Sequence, residues 1–143
     1  MKRFLFILAV LLISINNLQA QWETVHESSA GNFNTIDFVD QNTGWLGGLQ
    51  GKILKTEDGG QTWFTIALAQ DYSIGQIDFI NKSVGWAVAN HYDDNTENGN
   101  LLKTMDGGKT WSLQKRIGNR HFINSIYAVN DSVVYVAGDS IVL

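Results

Sequence analysis

Short apolar stretches alternate with polar, glycine-containing turns along most of this chain, and the apolar stretches recur in a fixed register. A four-residue stretch that opens with isoleucine occurs at three places: residues 36–39 (IDFV), 77–80 (IDFI) and 126–129 (IYAV). Nine positions after each isoleucine stands an aromatic residue that opens a run of small residues: Trp45, Trp86 and Tyr135. The isoleucines are separated by 41 and 49 residues, so the pattern predicts a repeated unit of several β-strands.

Each repeat is predicted to form a sheet of short strands joined by turns. The strands of the first unit are expected at residues 35–39, 44–48, 51–56 and 62–67, and those of the second at residues 76–80, 84–90, 100–105 and 110–115. The units span residues 35–67, 76–115 and 124–143, and the last of them is partial. Residues 22–26 are a candidate closing strand, since they resemble the outer strand of a further unit. An insertion at residues 91–99 makes the middle loop of the second unit seven residues longer than that of the first.

An eight-residue motif lies between the third and fourth predicted strands of each complete unit, at residues 56–63 (TEDGGQTW) and 104–111 (TMDGGKTW). The Asp carboxylate of such a motif can accept backbone N–H bonds from the residues after it, and paired glycines supply the positive φ that a tight turn demands. The Thr-Trp pair then opens the next strand. We assign these residues to structural turns and not to chemistry: Thr56, Asp58, Gly59, Gly60, Thr62, Trp63, Thr104, Asp106, Gly107, Gly108, Thr110 and Trp111.

This motif, Ser/Thr-x-Asp-x-Gly-x-Thr-Trp, resembles the Asp-box or BNR repeat of sialidases, xyloglucanases, sortilin-like receptors and photosystem II assembly factors. Residues 43–63 resemble the photosystem II stability and assembly factor type of repeat. The resemblance implies an all-β fold, a partial β-propeller of four-stranded antiparallel blades, with two complete blades and part of a third. It implies a fragment of a propeller of about six to eight blades. Secreted bacterial proteins, notably in the Bacteroidetes, carry many such repeats without a photosynthetic role.

The first 20 residues differ from the repeats. Lys2 and Arg3 precede an apolar run at residues 4–15, and Ala20 offers a small residue for cleavage. This order predicts a secretory signal peptide at residues 1–20 and a mature domain at residues 21–143. The run is shorter than the about 20 residues that a membrane-spanning helix needs. We therefore expect an exported protein, periplasmic, cell-surface or extracellular, with no integral membrane segment after cleavage.

The net charge and the amino-acid composition exclude some classes of partner and of chemistry. The chain has a formal net charge of −4, which becomes about −6 once Lys2 and Arg3 are removed, so nucleic acid is not an expected partner. It contains no cysteine, which excludes disulfides, thiolate metal sites, a cysteine nucleophile and the lipid attachment of an exported lipoprotein.

The resemblance to Asp-box enzymes raises two kinds of glycosidase site, sialidase-like and xyloglucanase-like. A sialidase-like site needs an arginine cluster, whereas the mature chain has only Arg116 and Arg120, which we assign to a solvated strand end and loop. A xyloglucanase-like site needs two carboxylates across a cleft, for which Asp37 and Asp78 are the candidate pair. Because they occupy the same place in successive repeats, we interpret them as structural residues. The sequence leaves open a catalytic pair in which the second carboxylate lies on further blades.

The sequence contains no strong pattern for a metal site or a ligand site. Residues 93–98 (DDNTEN) carry oxygen ligands suited to calcium but lack the spacing of a calcium loop, so we expect a solvated hairpin there. His26, His91 and His121 show no metal-ligand spacing. The five tryptophans stand at repeat positions and are expected to pack between blades: Trp22, Trp45, Trp63, Trp86 and Trp111. We expect no metal and no cofactor.

Two functions of different class follow. The preferred one is a non-catalytic exported binding or scaffold module whose loops engage a protein or glycan. The alternative is a fragment of a secreted Asp-box glycoside hydrolase, sialidase- or xyloglucanase-like. Self-association is expected if a chain this short occurs naturally, because blade faces are covered only by neighbouring blades.

Overall fold

A computed structural model describes residues 32–67, 72–92, 97–117, 122–139 and 141–142. The predicted signal peptide, the candidate closing strand at residues 22–26 and residues 93–96 lie outside the described residues. Eleven strands occur within these ranges: β1 Phe33–Phe38, β2 Gly44–Gly48, β3 Lys52–Thr56, β4 Phe64–Ala67, β5 Tyr72–Phe79, β6 Gly85–Tyr92, β7 Glu97–Thr104, β8 Ser112–Ile117, β9 Ile123–Ala128, β10 Val134–Gly138 and β11 Ile141–Val142.

The strands form three antiparallel sheets in which neighbours along the chain are neighbours in the sheet. The first blade is β1-β2-β3-β4, the second blade is β5-β6-β7-β8, and the third blade is β9-β10-β11. In the first blade Asp37 pairs with Trp45, and in the second Asp78 pairs with Trp86, so the repeats of the sequence share one register. The predicted all-β class with four-stranded antiparallel blades is confirmed.

Strand limits differ from the prediction where turns hold the backbone. Residues 44–48 form a strand as predicted, but β4 begins at Phe64 because the N–H and hydroxyl of Thr62 are bonded to Asp58. β8 begins at Ser112 for the same reason, since Thr110 is bonded to Asp106. The outer strands therefore start two residues later than the sequence pattern indicated.

The insertion in the second blade lengthens a hairpin. β6 continues to Tyr92, β7 begins at Glu97, and the pairs His91–Asn98 and Tyr92–Glu97 extend the ladder. The predicted strand limits at residues 90 and 100 are therefore wrong, because five of the nine inserted residues pair as strand. β5 also begins earlier than predicted, at Tyr72, with a bulge between Ile74 and Gln76.

The apolar core lies between blades. One cluster joins the first and second blades: Trp45, Ile53, Ile74, Ile77, Phe79, Ala87, Ala89 and Leu102. A second joins the second and third blades: Trp86, Val88, Leu101, Ile117, Ile123, Ile126, Ala128 and Val136. Close approach depends on small residues in β2, since a Cβ placed on Gly47 would stand 2.6 Å from Cγ2 of Ile74.

A neighbouring blade decides whether a repeat position is buried. Ile36 and Ile77 occupy the same place in successive units, yet Ile36 is 62% exposed and Ile77 only 2%. The first blade covers Ile77, whereas no described residue covers Ile36 in this way. Tyr127 and Tyr135 of the third blade are exposed for the same reason. These apolar faces are the physical basis of the expected self-association.

Candidate functional site

The Asp-box turn of the first blade is held by its own side chains. The hydroxyl of Thr56 donates to Oδ1 of Asp58 at 2.8 Å and accepts the N–H of Gly60 at 2.9 Å. The Asp58 carboxylate accepts the N–H of Thr62 at 2.8 Å and its hydroxyl at 2.6 Å. Gly59 and Gly60 take φ values of 74° and 93°, a region that favours glycine. The motif therefore forms a closed, rigid turn.

The second blade repeats this turn almost atom for atom. The hydroxyl of Thr104 donates to Oδ1 of Asp106 and accepts the N–H of Gly108, both at 2.9 Å. The Asp106 carboxylate accepts the N–H of Thr110 at 2.9 Å and its hydroxyl at 2.6 Å. Gly107 and Gly108 have φ values of 73° and 92°.

These bonds keep both carboxylates ionised. Hydrogen bonds from Thr62 hold the pKa of Asp58 below its ordinary value. Hydrogen bonds from the Thr110 hydroxyl and N–H lower the pKa of Asp106 to about 2. A carboxylate whose oxygens are bonded within its own turn, and whose pKa is low, is poorly suited to act as a general acid near neutral pH.

The turn of the second blade also joins the first blade to the second. Within the second blade, the N–H of Gly107 donates to the carbonyl of Ser83 at 2.8 Å. The carbonyl of the same glycine accepts the indole Nε1–H of Trp45, in the first blade, at 3.0 Å. The Trp45 ring stacks on Phe79 of the second blade at 3.6 Å between ring centroids. Trp45 thus connects the two sheets by a polar contact with the turn and an apolar contact with β5.

Asp37 and Asp78, the candidate catalytic pair, make equivalent contacts between blades. Oδ2 of Asp37 accepts the N–H of Phe79 at 2.7 Å, and Oδ2 of Asp78 accepts the N–H of Ala128 at 2.6 Å. Burial raises the pKa of Asp37, with the nearby Asp78 charge adding to the rise. Both carboxylates therefore bind the first strand of the next blade.

The tryptophans divide into two groups. Trp45 and Trp86 are the second residues of β2 and β6 and lie in the two core clusters. Trp63 and Trp111 close the Asp-box turns, and each meets a phenylalanine of its own blade edge to face: Phe38 and Phe79. Trp22 lies outside the described residues.

An open groove of about 370 Å³ lies beside the first Asp-box turn, lined by Lys55, Glu57, Phe64, Ile66 and Lys109. Lys55 forms an ion pair with Glu57 at 2.8 Å, and its ammonium stands 5.5 Å from the Trp45 ring centroid. The hydrogen bond and charge of Lys55 lower the pKa of Glu57, with smaller effects from Lys109 and Lys82. Phe64 is 57% exposed. The groove offers cationic and apolar groups together.

Sequence reasoning missed this groove because its residues come from two blades. Lys55 precedes one Asp-box and Lys109 lies inside the other, 54 positions later. Only the packing of the second turn on the first blade brings them together. The repeat register aligns the two Asp-boxes in the sequence but does not show that the second packs against the first blade.

The remaining candidates form no site in the described part of the chain. Among the described residues, no group of three or more His, Cys, Asp or Glu side chains is placed to hold a metal. Arg116 is exposed on β8, while His26, His121, Arg120 and residues 93–96 fall outside the described ranges. None of the described residues belongs to a helix able to cross a bilayer.

Comparison with known proteins identifies the family. The family model described as photosynthesis system II assembly factor YCF48 matches residues 15–112, which include both Asp-box motifs. The chain belongs to this family. A curated relative, photosystem II assembly protein Ycf48 of Thermosynechococcus vestitus, is 35% identical over 52 residues, which are 36% of this chain and 15% of that protein.

Two solved YCF48 structures share the fold. A YCF48 bound to a D1 peptide is 26% identical with a TM-score of 0.60, and the match covers 74% of this chain and 34% of that one. YCF48 from Cyanidioschyzon merolae is 24% identical with a TM-score of 0.63, covering 82% and 37%. The partial propeller class is confirmed, and the chain spans about a third of the length of these relatives.

Removing one buried hydroxyl tests the turn. Thr104→Val keeps the shape of the side chain but deprives the buried N–H of Gly108 of its acceptor. We expect the free energy of unfolding to fall by about 1–3 kcal/mol, measured by urea denaturation. Thr65→Val is the matched control, because Thr65 is exposed on β4 and its hydroxyl bonds to no described residue. Equal losses in the two variants would contradict the assignment.

The low pKa of Asp106 predicts a pH-dependent contribution to stability. Its pKa falls from 3.8 to about 2 on folding, so its ionised form is stabilised in the native state. That stabilisation is complete above about pH 4 and is lost as the pH falls toward 2. We expect Asp106→Asn to be less stable than the parent chain at pH 6, and this difference to shrink between pH 4 and pH 2. A difference that stays constant across that range in urea titrations argues against the turn as its origin.

Proposed function

We propose that this chain is an exported, non-catalytic binding module that engages a peptide segment of a protein partner. The observation that carries the proposal is the relationship to a YCF48 that binds a D1 peptide, at 26% identity and a TM-score of 0.60. Membership of an assembly factor family supports the same class of function. Of the two partner classes expected from the sequence, this relative favours protein over glycan.

The groove beside the first Asp-box turn is the proposed contact surface. Lys55 is already paired with Glu57, so Lys109 supplies the positive charge of the groove, and Phe64 and Ile66 supply apolar surface. A peptide with acidic and apolar side chains complements this mixture, because a carboxylate can pair with a lysine while an apolar side chain covers the exposed ring.

The hydrolase alternative receives less support from the geometry. A glycosidase needs a carboxyl group that exchanges protons with the substrate and a second carboxylate opposite it. Asp37 and Asp78 each accept a backbone N–H from the next blade, and Asp58 and Asp106 are bonded within their turns. The carboxylates that the repeats place most regularly therefore serve the fold.

Export rests on the order of charge, apolar run and small residue in the first 20 positions. We expect the protein recovered after expression in a secreting host to begin at Gln21, as measured by intact mass. Replacing residues in the apolar run by charge, with Leu8→Arg and Leu11→Arg, should keep the full-length chain inside the cell. Full-length chain starting at Met1 in the membrane fraction would contradict the proposal.

Binding through the groove is testable with peptides selected on the chain itself. We expect peptides from a displayed library to be rich in acidic and apolar residues, and Lys109→Glu or Phe64→Ser to weaken their binding about tenfold by calorimetry. Lys115→Glu is the matched control, because Lys115 is exposed on β8 and does not line the groove. Binding unaffected by Lys109→Glu and Phe64→Ser, or reduced mainly by Lys115→Glu, would refute the groove as the binding surface.

A further inference from the structure

Lys55, in the groove beside the first Asp-box turn, carries a partly buried positive charge. Its side chain is only 15% exposed, and its ammonium stands 5.5 Å from the Trp45 ring centroid. The second Asp-box turn lies close on another side, since a Cβ placed on Gly107 would stand 3.4 Å from Nζ of Lys55. Water screens an ammonium in such a place less than one on an open surface, so its attraction to a carboxylate is stronger.

A carboxylate of the same chain already occupies this ammonium. Oε1 of Glu57 lies 2.8 Å from Nζ of Lys55, and the hydrogen bond and charge of Lys55 lower the pKa of Glu57. The pair is therefore ionised at neutral pH. The Glu57 side chain is itself 64% exposed, so its carboxylate can leave Lys55 and return to water without opening the core.

The second blade shows that the Asp-box turn does not need this carboxylate. Met105 stands at the place of Glu57, yet the second turn is closed by the same hydrogen bonds as the first. Lys103, at the place of Lys55, donates to the backbone carbonyl of Asp131, and no described carboxylate forms an ion pair with it. The carboxylate on the lysine is therefore a feature of the first blade alone among the two described turns.

The groove has a second cation that no carboxylate occupies. Lys109 is exposed and lines the groove, and it forms no ion pair with any carboxylate in the described ranges. Phe64 pairs with Lys55 between β4 and β3 and is 57% exposed, so apolar surface lies next to the occupied lysine. A ligand carboxylate therefore meets no competitor at Lys109, whereas at Lys55 it must replace Glu57.

We propose that Glu57 is a built-in competitor that sets the affinity of the groove for carboxylate ligands. It occupies Lys55 in the free protein and yields this lysine to a carboxylate of the bound peptide. The exchange replaces one ion pair by another and returns Glu57 to water, whereas a peptide without a carboxylate leaves Glu57 in place. This inference rests on the proposed function in taking a peptide as the ligand.

Small probes measure the competition directly. The acidic probe is a capped phenylalanyl-glutamate dipeptide, and the neutral probe is its glutamine analogue, which keeps the shape but has no charge. Dissociation constants are measured by NMR titration of the full ¹⁵N-labelled chain. We expect Glu57→Gln to bind the acidic dipeptide about fivefold more tightly than the parent chain does, with the affinity for the neutral dipeptide unchanged. Glu57→Met, which introduces the residue of the second Asp-box, should shift the affinity in the same direction.

Two further variants separate exchange at Lys55 from a general change of charge. In a Lys55→Met chain, Glu57→Gln should give no gain in affinity, because the lysine for which the carboxylates compete is gone. Asp131→Asn also removes one negative charge, but Asp131 lies in the turn between β9 and β10 and does not line the groove. We expect this control to leave the affinity for both dipeptides unchanged.

Four results would overturn the proposal: equal tightening for both dipeptides, a gain that persists in the Lys55→Met chain, a similar gain from Asp131→Asn, or no binding of the acidic dipeptide by Glu57→Gln. The proposed function fails separately, when peptides selected on the parent chain bind independently of Lys109 and Phe64. The dipeptide comparison then still decides whether Glu57 competes for Lys55.

Discussion

The contact between the indole of one blade and the Asp-box turn of the next is the interaction on which this architecture depends. Trp45 donates to Gly107 and stacks on Phe79, so one side chain secures both the polar and the apolar part of the boundary between blades. A four-stranded sheet alone leaves both faces open to water. Ile36 and Ile77 show the difference that a neighbour makes, since the same repeat position passes from exposed to buried.

That contact explains why the turn must be rigid. The carbonyl that accepts the indole N–H belongs to Gly107, and hydrogen bonds within the Thr-x-Asp-x-Gly-x-Thr motif hold that residue in place. The glycines add the backbone conformation and the space, since a Cβ on Gly107 would stand 2.7 Å from the carbonyl of Lys82. Local sequence, turn geometry and packing between blades are therefore parts of one constraint, and the Asp-box carboxylate serves the fold.

The sequence predicted the fold well where local chemistry and repeat spacing agree. The repeat register anticipated β2 to the residue and aligned Trp45 with Trp86. It placed β4 and β8 two residues early, because a strand pattern does not show that Thr62 and Thr110 are held by a carboxylate. The extended hairpin of the second blade was missed because its polar residues carry no strand signal of their own. The groove could not be predicted, since its lysines meet only after two blades pack.

Comparison of equivalent positions in successive blades also distinguishes structural residues from candidate functional residues. Asp37 and Asp78 recur with the same bond to the next blade, and the third blade has Tyr127 at this place. Tyr127 is 67% exposed and makes no such bond to any described residue, so the carboxylate contact that joins the first blade to the second and the second to the third is not repeated by the third blade within the described residues. Lys109 also differs between repeats, because the equivalent position of the first Asp-box is Gln61, which carries no charge. The turn does not require the charge of Lys109, because the first Asp-box forms the same bonds with Gln61 in its place, so the proposed groove contact uses a residue that the fold does not need.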